Sequence, residues 1–403
     1  MGLNSTPSSE RVHIGFFGRR NAGKSSLVNA VTGQDLAVVS PVKGTTTDPV
    51  YKAMELLPIG PVSIVDTPGF DDEGELGRLR IEKTKQVLNK VDIAVLIVDS
   101  QTGVNDIDKE LIKIFEDKNI IYIIAYNKAD LIAEKPELKL EKNEIYVSAK
   151  KKTNIYELKE LIASLYDGGL NSRKLVKDLV NPNDLVILVT PIDSAAPKGR
   201  LILPQQQVIR DLLEADALSV VVKETELVSA LNSCSKKPKI VITDSQAFGR
   251  VSEETPDDIY LTSFSILFAR YKGVLKEAVK SVKMLEKLKD NDTLLISEGC
   301  THHRQCDDIG TVKLPWWIQN YTGRHLNFEF SSGGGFPSDL SKYKLIVHCG
   351  ACMLKDREVM FRYKQAQESN IPITNYGITI AYINKILERS LRIFPDIHKE
   401  LVK

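Results

Sequence analysis

Short apolar runs alternate with longer amphipathic segments from Arg11 to about Asp167. Segments 12–17, 62–65, 93–98, 120–126 and 144–147 read as buried strands, and 24–31, 79–90, 106–116 and 155–165 as helices. Strand–helix alternation of this kind predicts a mostly parallel sheet covered on both faces. Gly168 to Ser172 reads as a linker. Beyond it, 185–189, 218–222 and 240–243 predict strands, with helices at 205–214 and 224–231. A third stretch carries helical patterns at 264–271, 274–288, 355–367 and 378–389 and strand-like runs at 293–297 and 345–348. The expected division is 1–170, 175–258 and 261–403, without an internal sequence repeat. A middle unit of that size buries little core, so docking or self-association is expected of it.

Composition narrows the class. The chain has 403 residues, 42% hydrophobic and 27% charged, which excludes a wholly disordered or collagen-like protein. Its 54 basic and 53 acidic residues leave a formal charge of +1, so no bulk nucleic-acid or membrane partner is expected. The longest apolar runs fall far short of the ~20 residues that span a bilayer. No charged-then-apolar leader opens the sequence, and a reducing cytoplasm is the expected compartment. The five cysteines are too few for a disulfide scaffold; Cys234 stands alone, whereas Cys300, Cys306, Cys349 and Cys352 gather in the last third.

Gly18 to Ser25 satisfies GxxxxGK[ST] after an expected strand and before an expected helix. Backbone N–H groups of Asn21, Ala22, Gly23 and Ser26 are expected around phosphates, with Lys24 as a point charge and Ser25 as a Mg²⁺ ligand. Asp66-Thr67-Pro68-Gly69 ends a strand, placing Asp66 toward Mg²⁺ and the Gly69 N–H toward a γ-phosphate. Asn127-Lys128-Ala129-Asp130 ends another, and an Asp130 carboxylate can accept from guanine N1–H and N2–H₂, which adenine cannot reciprocate. Ser148-Ala149-Lys150 ends the last strand, within reach of guanine O6, and Thr45 and Thr46 lie in a first switch loop, Thr46 as a Mg²⁺ ligand. Five elements in this order predict a GTPase domain, with Lys24, Thr46 and Gly69 closest to the hydrolytic chemistry.

The set resembles the TrmE–Era class of GTPases. The resemblance implies that Asn21, three residues before Lys24, holds a monovalent cation, and that hydrolysis is K⁺-stimulated. Phe70 stands where Ras-like proteins carry the water-orienting glutamine, a chemistry that its ring cannot perform.

Cys300-Thr301-His302 follows an expected strand and His348-Cys349-Gly350-Ala351-Cys352 ends another, with 45 residues between the two histidines. From spacing alone, three chemistries stay open. Zinc would take three thiolates and an imidazole, a [4Fe–4S] cluster would take three thiolates, and Cys349 with Cys352 could form a redox dithiol.

In the company of a TrmE–Era domain and a small middle unit, this pattern resembles the HydF family of [FeFe]-hydrogenase maturation GTPases. The resemblance implies an α/β chain, a P-loop GTPase doubly wound sheet followed by two smaller α/β domains for dimerisation and cluster binding. It implies a [4Fe–4S] cluster on Cys300, Cys349 and Cys352, with His302 and His348 beside it. It also implies a homodimer formed through the middle domain and a scaffold role. The family accepts a two-iron precursor made by the radical-SAM maturases HydE and HydG and delivers it to apo-[FeFe]-hydrogenase. Asp307, or Asp308, is a further candidate for the fourth iron, and Cys306 has no place in the pattern. Two rival readings are an Era-type RNA- or ribosome-associated GTPase with a zinc domain and a redox-regulated GTPase.

Overall fold

The computed structural model describes residues 8–33, 50–57, 59–67, 87–132, 140–166, 174–192, 201–299 and 308–402. Thr45, Thr46, Gly69, Phe70, Cys300, His302, Cys306 and Asp307, the expected linker and most of the expected helix at 79–90 lie outside them. The chain divides into two units, 1–170 and 171–403. No helix among the described residues is long and apolar enough to cross a membrane.

The first unit is built on a six-stranded sheet. Its strands are β1 (Val12–Gly18), β2 (Val50–Leu56), β3 (Gly60–Asp66), β4 (Ile93–Asp99), β5 (Ile121–Asn127) and β6 (Glu144–Tyr146), in the spatial order β2-β3-β1-β4-β5-β6. All pairs are parallel except β2 with β3. The central strands are continuous apolar runs because helices cover both faces; Ile93 to Val98 are all buried. Helices Lys24–Thr32 and Ile155–Leu165 pack on one face, where Leu27, Val28, Leu158 and Ile162 meet Ile14 and Val95. Helix Asp106–Asp117 packs on the other, where Phe115 meets Phe17 and Leu96.

The second unit holds two four-stranded parallel sheets. One is formed by β7 (Leu185–Val189), β8 (Leu218–Val222), β9 (Ile240–Thr243) and β10 (Tyr260–Ser263), in the order β10-β9-β7-β8. The other is formed by β11 (Thr293–Glu298), β12 (Asn327–Ser332), β13 (Leu345–His348) and β14 (Ile373–Asn375), in the order β12-β11-β13-β14. Each sheet therefore places its first strand between its second and third, so the topology repeats where the sequence does not.

Three features differ from the sequence expectation. Tyr260–Ser263, across the expected boundary between 258 and 261, is an edge strand of the second sheet, paired with β9. The helical pattern at 378–389 breaks into Tyr376–Ile383 and Leu387–Leu391, since Lys385 takes a left-handed φ of 59°. The pattern at 274–288 is an α-helix, Leu275–Val282, that tightens to a 3₁₀ turn over Lys283–Lys287.

The two sheets of this unit share one apolar core, continuous from Leu175 through Phe248 and Val279 to Leu345 and Phe394. Polar ties cross the same seam. Buried Lys272 donates to the Leu354 carbonyl at 2.8 Å and pairs with Asp356 at 3.0 Å. Arg389 donates to the carbonyls of Ser252 and Thr255, each at 2.6 Å. Removing a buried ring from a core of this kind costs about 3–5 kcal/mol. Phe248→Ala is therefore expected to lower the unfolding midpoint as read by tryptophan fluorescence in denaturant. Both tryptophans, Trp316 and Trp317, lie on helix Leu314–Thr322 beside the other sheet, so an unmoved tryptophan transition would contradict a shared core.

Candidate functional sites

The nucleotide site forms at the carboxyl ends of β1, β3, β4 and β5, where open α/β sheets place ligands. β1 ends at Gly18 and the chain turns through Asn21 (φ 62°) and Gly23 (φ 86°) into helix Lys24–Thr32. No side chain caps that helix, which leaves its first N–H groups directed at the loop. Gly23 is dictated twice, by its left-handed φ and because a Cβ there would lie 2.2 Å from Asn127 Nδ2.

Asn127 holds the loop from below. Its Nδ2 donates to the Ala22 carbonyl at 2.9 Å, while its Oδ1 accepts from the Ala149 N–H at 3.1 Å. One buried amide thus joins the phosphate loop to the Ser148-Ala149-Lys150 turn. Arg19 anchors the loop from the side, with its Nε 3.2 Å from buried Asp108 and its Nη2 donating to the Gly103 carbonyl at 2.9 Å.

Ser25 Oγ donates to Asp66 Oδ2 at 3.1 Å. Burial raises the Asp66 pKa, opposed by Lys24 and by the Ser25 hydroxyl. Asp66 Oδ1 is buried without a hydrogen-bond partner. An orphaned carboxylate oxygen beside a hydroxyl and an ammonium fits a hydrated Mg²⁺ held by Ser25 and Asp66. Lys128 pairs with Asp99 at 2.6 Å, and Ser148 Oγ donates to Asp130 Oδ1 at 2.6 Å, holding the Asp130 carboxyl below its usual range. Exposed Asn21 stands on the rim of the loop, and exposed Ser26 opens the helix. Sequence reasoning missed Asp99, Arg19 and Asp108, whose partners are distant in the chain.

The cysteine site occupies the corresponding position in the third sheet. β11 and β13 are adjacent and parallel, with Ser297 opposite His348. Chain direction across the sheet reverses between them, the switch point where a crevice opens. The Cys349 N–H donates to the Ser297 carbonyl at 2.8 Å, and Cys349 Sγ accepts from Gly299 N–H at 3.1 Å and from Ala351 N–H at 3.4 Å. Ala351 adopts a left-handed φ of 54°, and its carbonyl accepts from the Leu354 N–H at 3.1 Å, closing a turn through Cys352. Gly299 allows the close approach, because a Cβ there would lie 2.5 Å from Leu354 Cγ.

Burial, then the charge of Cys349, raises the Cys352 pKa, with Lys272 opposing. Among the described residues, Cys349, Cys352 and Cys234 form no disulfide. Among the described residues, no group of three or more His, Cys, Asp or Glu side chains gathers as a metal site. Cys300, His302 and Asp307 lie outside those residues.

His348 is buried, its Nδ1 2.9 Å from the Cys349 carbonyl and its Nε2 2.9 Å from Arg362 Nη1. Burial, then the Arg362 charge, brings its pKa down to about 3. Arg362 is itself buried and was not singled out from the sequence. Asp308 caps the following turn by accepting from the Thr311 N–H at 2.8 Å. The turn, Ile309–Lys313, is a π-helix, which leads into helix Leu314–Thr322.

Comparison with known proteins assigns these parts. Residues 13–128 match the family described as 50S ribosome-binding GTPase, 175–273 the hydrogen maturase F dimerization domain and 276–393 the hydrogen maturase F tetramerization domain. The tRNA modification GTPase MnmE of Dechloromonas aromatica is 35% identical over 144 residues, 36% of this chain and 32% of that protein. Its counterpart in Acetivibrio thermocellus is 28% identical over 215 residues, 51% of this chain and 46% of that protein. The chain thus spans about a third to a half of the length of these curated relatives. Among solved structures, a probable GTP-binding protein engB is 27% identical with a TM-score of 0.32, covering 38% of this chain and 98% of its own. Aquifex aeolicus Era bound to GDP and aluminium fluoride is 20% identical with a TM-score of 0.34, covering 52% of this chain and 92% of its own.

The first unit is a P-loop GTPase domain, and its fold supports GTP and Mg²⁺ binding. The two maturase domains support self-association and together span more than half of the sequence. A GTPase domain followed by both maturase domains makes this chain a member of the hydrogen maturase F family.

Proposed function

We propose that this chain is a cytoplasmic, K⁺-stimulated GTPase and metallocluster carrier. It would hold a [4Fe–4S] cluster on Cys300, Cys349 and Cys352 and deliver a two-iron precursor to apo-[FeFe]-hydrogenase, with HydE and HydG as the suppliers. The observation that carries the reading is the Gly299 N–H donating to Cys349 Sγ at 3.1 Å. Cys300 follows Gly299 in the sequence, and that adjacency supports the reading that its thiol joins those of Cys349 and Cys352.

The donor set fits such a group. Cys349 and Cys352 lie three residues apart, and N–H groups aimed at Cys349 Sγ reduce the charge that a bound thiolate must carry. A cluster held by three protein thiolates keeps one iron open, which gives the two-iron cargo an attachment that can later be broken. His302, His348 and Asp307 stand nearest to that question in the sequence, Asp307 as a candidate fourth ligand. Nucleotide binding is assigned to Asn21 to Ser26, Thr45, Thr46, Asp66, Gly69, Asn127, Lys128, Asp130 and Ser148 to Lys150, with Asn21 on K⁺. Hydrolysis gates partner exchange in this reading and is separate from cluster chemistry.

The division of labour extends the family assignment, with 1–170 for nucleotide, the segment after about 175 for dimerisation and the last third for the cluster. β8 is one of the two outer strands of the second sheet and keeps Leu218 and Val221 exposed. An apolar edge strand of this kind invites pairing, and here the partner is a second copy.

Five outcomes are expected. Anaerobic reconstitution with iron and sulfide gives an iron–sulfur absorption and paramagnetic-resonance spectrum that Cys349→Ala and Cys352→Ala lose; bound zinc without that spectrum would overturn the carrier reading. Lys24→Ala abolishes GTP hydrolysis and, with it, maturation of hydrogenase in a cell-free assay, and full maturation would end the gating proposal. Asp130→Asn weakens GTP binding by about a hundredfold or more while improving binding of xanthosine triphosphate, whose C2 carbonyl matches an amide donor, as titration calorimetry would read. In the same site Asn21→Ala removes the advantage of K⁺ over Na⁺ in hydrolysis. Val221→Lys dissociates the dimer in light scattering, and an unchanged mass would move the interface elsewhere.

A further inference from the structure

Beneath the cysteine turn lies a buried guanidinium with an unusual set of partners. Arg362, 1% exposed on helix Asp356–Glu368, donates from Nη1 to His348 Nε2 at 2.9 Å. From Nη2 it donates to the Gly333 carbonyl at 2.5 Å and to Glu358 Oε1 at 2.7 Å. Ser297 Oγ lies 3.5 Å from Nη1, and the Phe336 ring centroid is 5.2 Å from the guanidinium carbon. Glu358 is itself buried, so the pair is fixed within the fold and the guanidinium has no room to swing away.

A guanidinium has only N–H groups to offer. His348 Nε2 must therefore accept, which requires a neutral ring with its proton on Nδ1. That proton lies toward the Cys349 carbonyl, 2.9 Å from Nδ1. Both ring nitrogens are then committed, Nε2 through its lone pair and Nδ1 through its hydrogen, and no lone pair is left for a metal. Cys349 in turn is held at its N–H by Ser297, at its carbonyl by His348 and at its sulfur by Gly299 and Ala351.

We propose that Arg362 is a positioning residue of the cysteine site. It locks His348 as an Nδ1–H donor behind Cys349 and keeps that imidazole out of the metal's ligand set, reserving the turn for sulfur. The importance of this lock rests on the carrier reading above, but its geometry is a property of the iron-free chain.

The test has two arms. In the iron-free chain labelled with ¹⁵N-histidine, the His348 ring, identified by its loss in His348→Gln, is expected as the neutral tautomer with Nε2 unprotonated. An Nε2–H tautomer would overturn the proposal. Folded Arg362→Met, judged by circular dichroism, is expected to show that ring signal shifted, and an unshifted ring would also overturn it. If that variant fails to fold, the wild-type ring alone decides.

In the second arm, reconstituted wild-type and His348→Gln chains are compared by pulsed paramagnetic resonance. The same nitrogen couplings are expected in both; a coupling lost in His348→Gln would make His348 a ligand and overturn the lock. A wild-type chain that forms no iron–sulfur cluster would sink the carrier reading and leave the tautomer result standing.

Discussion

The parallel pairing of β11 with β13, Ser297 opposite His348, is the constraint on which the cysteine site depends. Because the two strands share a register, their carboxyl ends finish at the same level. The Ser297 carbonyl then receives the Cys349 N–H, and the Gly299 N–H reaches the Cys349 sulfur. A slip of one residue would put His348 and Ser297 on opposite faces of the sheet and dissolve both contacts. The order β12-β11-β13-β14 makes that pair the switch point of the sheet, so the crevice and the placement of Cys349 beside it arise from the same feature.

The nucleotide site uses the same geometry with different chemistry. There a phosphate loop follows β1, and the buried Asn127 amide at the end of β5 ties that loop to the turn after β6. In the first site the uncapped start of helix Lys24–Thr32 leaves backbone N–H groups at the loop; in the second, the Gly299 and Ala351 N–H groups point at Cys349 Sγ. Each site is a rim of loops held by a rigid parallel sheet, which is where a fold can change chemistry without changing its core.

Strands with continuous apolar runs were legible in the sequence, as with β1, β4, β5, β7 and β9. The strands missed were β2, β10, β12 and β14, short or polar edges such as Asn327–Ser332, whose pattern differs little from that of a loop. The phosphate loop was readable because its residues are contiguous and their chemistry is local. Arg362 was not, since apart from Glu358 its partners lie 14, 29 and 65 residues away and only the fold brings them together. Its sequence surroundings, Asp356 to Glu368, look like an ordinary charged helix.

Lys272 closes the stretch matched to the dimerization domain, yet its ammonium is spent on the Leu354 carbonyl and Asp356, just past Cys352. The seam between the two maturase domains is therefore no place to cut. A fragment beginning at 276 would lose the cation that ties down the end of the CxxC turn and would lay bare the half-core that Phe248 and Leu267 now cover. Recombining such halves from different proteins would demand matched surfaces on both sides, so the two domains must evolve as a single folding unit.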